Sequence, residues 1–155
     1  MLAEVGFTPD EIRLDESTRS ARLKWVILVD EALPAGRQVN AAACIAAATS
    51  AKVSGLLGPD ATDADGELHP GLPWGGCTVL GAASEALSAV LVKASALGDV
   101  LVVDMPAVAQ QVRVYSEYVE TMAATPLSDL APLAVGLVGE RKTIEKLVKR
   151  LSLLA

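Results

Sequence analysis

KWVILVDEALPAGRQVNAAACIAAA, residues 24–48, reads as a buried strand that turns directly into a long helix. Trp25–Asp30 is a continuous apolar run, rich in β-branched residues and without polar alternation, as expected of a strand covered on both faces. Leu33-Pro34-Ala35-Gly36 forms the turn, with Pro34 or Ala35 near the first helical position. The helix is expected to run to about Val53. Its nearly uniform small side chains imply close packing on a sheet. Such a turn presents free backbone N–H groups and the positive end of a helix dipole at a sheet edge, where anions and substrates bind.

Further strands and helices follow on both sides of this unit. Cys77–Ala82 reads as a second strand, and Ser84 is expected to cap a helix reaching about Leu97. Asp99–Met105 is a third strand. Pro106 is expected to open a helix whose apolar stripe is Val108, Val112, Tyr115, Val119 and Met122. Leu133–Gly139 is a fourth strand, followed by a helix with Ile144, Leu147, Val148 and Leu151 inward. Strands alternating with helices give an α/β fold. The expectation is three layers, with a four-stranded mixed, mostly parallel sheet and helices on both faces. One domain is expected over residues 1–155, in which 1–22 form an acidic lead-in lying over a core of 23–155. Gly55–Gly76, with three prolines, is a loop long enough to wall or cover a site.

The 155 residues are 52% hydrophobic, yet only Trp25, Trp74, Tyr115, Tyr118 and Phe7 are aromatic. A core of Ala, Val and Leu follows. No apolar run reaches the roughly 18 residues of a membrane span. The N-terminal residues carry acids and no apolar stretch of a secretory signal. Two cysteines make no disulfide framework, so a cytoplasmic protein is expected. The net charge of −6 argues against a nucleic-acid footprint, which depends on a positive surface. Five of the thirteen basic residues nevertheless fall between Arg141 and Arg150. That stretch reads as a salt-bridged solvent face.

Arg37, Asn40 or Ala41, and Cys44 are spaced three and four apart and share one face of the first helix. That face is expected to look into a site at the carboxyl end of the first strand, near Asp30 and Asp104. His69 is the sole histidine and the one side chain that titrates near neutral pH. Trp74 stands close enough in sequence to wall the same pocket. Asp60–Glu67 does not make a calcium loop, since Ala61 and Leu72 occupy two ligand positions. Cys44 and Cys77 lack the neighbours zinc requires. Neither a metal nor a cofactor is expected.

Lys24-Trp25-Val26-Ile27-Leu28-Val29, then Leu33, Gly36 and the helix, resemble the opening of type II peptidyl-tRNA hydrolases. APLAVGLVGERKTIEKLVKRLSLL is similar to that family's last strand, glycine turn and closing helix. A nearer resemblance is to a bacterial group sharing that fold, domain-of-unknown-function family number two thousand. It rests on Arg22-Leu23-Lys24, on Leu33-Pro34 with Gly36 and Asn40, on Asp63, Gly66 and His69-Pro70-Gly71, and on Gly136 and Gly139. The resemblance places Arg37 where the hydrolases have a functional lysine and Asp104 where they have an important aspartate. Ala41 and Cys44 stand where they have glutamine and histidine, which implies that tRNA hydrolysis is not retained.

The expected function is binding of a small anionic ligand or a peptide terminus at the strand-one/helix-one turn. Arg37 would neutralise the ligand and Asn40 orient it, while Lys24, Asp30, Gly36, Cys44, Trp74, His69 and Asp104 complete the site. One alternative is a hydrolase using His69 and Asp104. Another is an interaction protein that forms a homodimer.

Overall fold

The computed structural model describes residues 1–155. Its centre is strand β1 (Leu23–Asp30), followed by helix α1 (Ala35–Lys52). A two-stranded hairpin, β2 (Ala61–Thr62) and β3 (Leu68–His69), projects from the long loop. Then come β4 (Thr78–Ala82), α2 (Ser84–Ser95), β5 (Leu101–Pro106), α3 (Val108–Gln111) and α4 (Tyr115–Ala124). The chain closes with β6 (Pro132–Glu140), α5 (Arg141–Leu147) and β7 (Ser152–Leu153).

The main sheet has five strands in the order β5-β6-β1-β4-β7. The four expected strands are all present, and β7 adds a short fifth against β4. The expectation of mostly parallel pairing is corrected. Only β1 and β4 pair in parallel, whereas β1–β6, β5–β6 and β4–β7 are antiparallel. The physical reason is the insertion of β6 between β5 and β1, running against both. A buried strand is apolar throughout whichever way its neighbours run, so hydropathy carries no sign of direction.

Alternate residues of β1 face opposite layers. Ile27 and Val29 join Ala41 and Ile45 of α1, Leu101 and Met105 of β5, and Val138 in one core. Val26 and Leu28 join Leu87 and Leu91 of α2 and Ile144 of α5 in the other. Helix α1 buries only Ala41, Ile45 and Thr49, a single narrow stripe. It lies very close to β6 at Gly136, where a Cβ would come 2.5 Å from Ile45 Cγ2. The small residues of this helix and the glycine beneath it are therefore one packing solution.

Two helical expectations are also corrected. The N-cap of α2 is Ala83, and Ser84 is its first residue without a side-chain capping bond. Pro106 ends β5 opposite Pro132 rather than opening a helix. The helix expected after it breaks into α3 and α4, with Val112 and Val114 extended between them. The apolar stripe is thereby divided, and Tyr115 is 78% exposed.

Residues 1–22 pack onto this framework. Phe7 N–H donates to Ser54 O (2.8 Å), and the Phe7 ring enters the α1-side core. Arg22 donates to Glu11, to Glu140 Oε1 (2.7 Å) and to Gly6 O (3.0 Å). The loop after α1 is pinned by Gly58 N–H to Leu72 O (2.8 Å), a contact so close that Gly71 leaves no room for a Cβ. No helix is long and apolar enough to cross a membrane.

Candidate functional site

The α1 face carrying Arg37, Asn40 and Cys44 looks across to β5 and α3. Near its start, Gln110 of α3 fastens the two elements together. Arg37 Nε donates to Gln110 Oε1 (2.7 Å), while Gln110 Nε2 donates to Asn40 Oδ1 (3.1 Å) and Arg37 O (3.2 Å). Arg37 forms no salt bridge, so its guanidinium charge stays uncompensated.

Further along the same face, Cys44, Ile45 and Ala48 form one wall of a cavity of about 400 Å³. Val103, Asp104 and Met105 of β5 line it too, and α3, α4 and the extended Val112–Val114 link enclose it with Ala109, Arg113, Tyr115 and Tyr118. Ten of its thirteen lining residues are hydrophobic, which makes Asp104 conspicuous. Asp104 borders this cavity and, beside Val102, a second one against α2; its Oδ2 is buried and has no hydrogen-bond partner. Burial pushes the Asp104 carboxyl above the ordinary carboxylate range, because a charge there loses its hydration. Tyr118 is raised as well, first by burial, then by the Asp104 charge and by Tyr115, whose ring centroid lies 5.4 Å away.

The other expected site residues lie elsewhere. Asp30 Oδ1 accepts from Ala32 N–H (2.9 Å) and organises the turn after β1. Gly36 is exposed at the start of α1, where a Cβ would meet nothing. Lys24, at the opposite end of β1, pairs with Glu145 (Nζ–Oε1 3.3 Å). His69 Nε2 lies 3.1 Å from Asp63 Oδ2 within the hairpin, and His69 does not line the Asp104 cavity. The pairing of His69 with Asp104 is therefore not made. Trp74 donates from Nε1 to Gly55 O (2.7 Å) and packs on Phe7, anchoring the loop rather than walling this cavity. No group of three or more His, Cys, Asp or Glu side chains is arranged to hold a metal ion.

Four residues of the site escape the sequence reading: Gln110, Arg113, Tyr115 and Tyr118. The tyrosines carried a signal, since two of the chain's five aromatic residues fall within four positions. Gln110 carried none. A glutamine beside another glutamine in a helical pattern reads as solvent face.

Fold and cavity together define a mixed α/β protein whose edge strand sets one unpartnered carboxylate at the border of an apolar cleft. Residues 23–155 match the family described as a protein of unknown function, DUF2000, and the chain belongs to that family. It is also similar in structure to a protein of unknown function from Agrobacterium tumefaciens strain C58. The two share 16% identity with a TM-score of 0.80, over 86% of this chain and 98% of the other. That likeness is one of fold. Comparison with curated proteins finds no match.

Proposed function

We propose that this chain binds the amino terminus of a peptide, or a small molecule of the same chemistry, in the cavity between α1, β5, α3 and α4. The observation that carries the reading is Asp104 Oδ2, a buried acceptor without a partner on a residue that borders an otherwise apolar cleft. Buried polar groups are ordinarily satisfied, and one that is not calls for a partner such as a water, an ion or a ligand group. An ammonium group answers that acceptor, and an apolar first side chain fills the space among Ala48, Met105 and Tyr118. Arg113 at the cavity wall, and Arg37 where Gln110 holds it, offer charge to a carboxylate or carbonyl farther along the ligand.

The same reading proposes a type II peptidyl-tRNA hydrolase-like core from which hydrolysis has been lost. On α1, Ala41 is buried and can activate no water. Cys44 reaches the cavity, but no histidine accompanies it there.

Thermal-shift titration with leucyl peptides bearing a free or an acetylated amino terminus tests this proposal. A ligand at 100 times its dissociation constant adds about 2.7 kcal/mol to native stability. Stabilisation is expected from the free terminus, and its loss on acetylation and in Asp104→Asn. Equal stabilisation by both peptides would sink the proposal.

A second reading has its own support. Val114, Tyr115 and Val119 are exposed on a segment flanking β5, whose outer edge has no partner strand. A homodimer formed through this edge predicts a concentration-dependent sedimentation coefficient that Tyr115→Glu abolishes. A monomer at all concentrations excludes it.

A further inference from the structure

At the other end of the sheet, where β1 and β4 begin, lies a second cavity of about 500 Å³ with the opposite electrostatic character. It is mostly polar, and among its lining residues are Arg19, Lys24 and Arg141 against a single acid, Glu145. In a chain of net charge −6 this is a local reversal of sign. The cations are not equally committed. Lys24 and Arg141 both approach Glu145 Oε1, at 3.3 Å and 3.9 Å, and Arg141 also donates to Ala21 O and Thr18 O. Arg19 is exposed and its side chain has no carboxylate partner.

Trp25 also lines this cavity. The residue is 7% exposed, and its indole Nε1 is a buried donor without a hydrogen-bond partner. Trp25 thus borders the cavity from the α1-side core and carries an N–H donor that no protein group satisfies. Phosphate contributes several acceptor oxygens, and guanidinium groups bind it through paired hydrogen bonds.

We propose that this cavity, separate from the Asp104 cleft, is a binding site for a phosphoryl group carried by a small molecule. Arg19 and Lys24 neutralise the phosphoryl oxygens, and the Trp25 indole N–H is available as a further donor. The volume exceeds what a bare phosphate fills, which points to a phosphate monoester. Glu145 competes with the ligand for Lys24 and Arg141, so entry of the anion exchanges one carboxylate for another acceptor.

Trp25 supplies the readout. In a Trp74→Phe background its fluorescence is titrated with inorganic phosphate and with glycerol 3-phosphate at constant ionic strength, with chloride as the control. The unmodified chain, followed by calorimetry, covers the case in which Trp74→Phe disturbs the fold. Saturable binding of either phosphoryl probe is expected. Arg19→Ala should weaken it at least tenfold, and Glu145→Gln should tighten it severalfold. Both substituted positions are exposed, so the fold tolerates them. The opposite signs distinguish a site from diffuse attraction to a basic surface. The proposal is overturned if neither probe saturates, or if the two variants leave affinity unchanged.

Discussion

Replacing Asp104 by asparagine should stabilise this protein at neutral pH, and the gain should depend on pH in a defined direction. The substitution keeps the shape of the side chain, so packing against its neighbours, Tyr118 among them, is retained. What it removes is a carboxylate that burial holds above its ordinary range, with one oxygen lacking any partner. In the unfolded chain that carboxyl is hydrated and ionises first. As pH rises from the unfolded value towards the folded one, the unfolded state is therefore favoured, and wild-type stability falls. Below the unfolded value both states are protonated and the penalty is absent. Above the folded value it is complete. A buried polar group left unsatisfied costs about 1–3 kcal/mol, and the asparagine introduced by Asp104→Asn still carries a neutral amide to desolvate. A net gain of about 1 kcal/mol is expected, equivalent to about 2–4 °C in Tm for a chain of this size. Urea and thermal unfolding of both proteins between pH 3 and pH 8 reads the difference directly. It should vanish at the acid end and reach a plateau at the neutral end. A variant less stable than wild type at neutral pH, by a margin that does not change with pH, would refute the reasoning. It would mean that Asp104 holds a structural hydrogen bond. Confirmation would identify a residue retained at a cost to stability, which is the usual mark of a binding group.

Four further outcomes follow from the same geometry. Gly136→Ala places a Cβ 2.5 Å from Ile45 Cγ2 and should cost about 1–3 kcal/mol by chemical denaturation, with Ile45→Ala in the same chain recovering part of the loss. Phe7→Ala should cost about 3 kcal/mol, because the ring is buried in the α1-side core although it precedes the family match at residue 23. Arg22 holds the Glu11 carboxyl down at about 2, so stability is present above the ordinary carboxylate range and is lost as pH falls from there towards 2. The pair is partly exposed, so acid titration of Arg22→Gln should show this slope removed at a cost of about 1 kcal/mol or less. Gln110→Ala should leave Tm nearly unchanged and yet weaken binding of a free peptide terminus in calorimetry, since it releases Arg37 and Asn40 together.

The elements of this fold are legible in the sequence because each central strand is bounded by polar or glycine-rich turns. Trp25–Asp30 and Leu133–Gly139 announce themselves as buried strands by hydropathy alone. Their relative order does not. β6 lies between β5 and β1 because of the register in which Gly136 meets Ile27 on one side and Val103 on the other, with Ile45 of α1 pressed on the same residue. That is a three-dimensional fit among residues far apart in the chain, and periodicity within a short window has no access to it. The failure after Pro106 has a local cause. Val108, Val112, Tyr115, Val119 and Met122 satisfy helical spacing, yet Val112 and Val114 adopt the extended conformation that β-branched residues favour, and the helix parts there.

The same distinction separates the residues of the cleft that could be named in advance from those that could not. Arg37, Asn40 and Cys44 belong together by helical spacing, a property of one element. Asp104 draws notice as an acid within the apolar run Asp99–Met105. Gln110, by contrast, acquires its role only because α3 comes back beside the first turns of α1, and His69 loses its expected role because the hairpin turns it towards Asp63. Lys24 is the sharper case. As the first charged residue of β1 it stands next to Arg37 in any reading that treats the strand and turn as one motif. Yet a strand of this length spans roughly 25 Å, and the two cations serve opposite ends of the sheet. One strand therefore separates an apolar cleft with an unpaired acid from a polar cavity with surplus bases. The two proposals therefore call for ligands of opposite charge at the two ends of the sheet, on residues that sequence proximity alone would have merged.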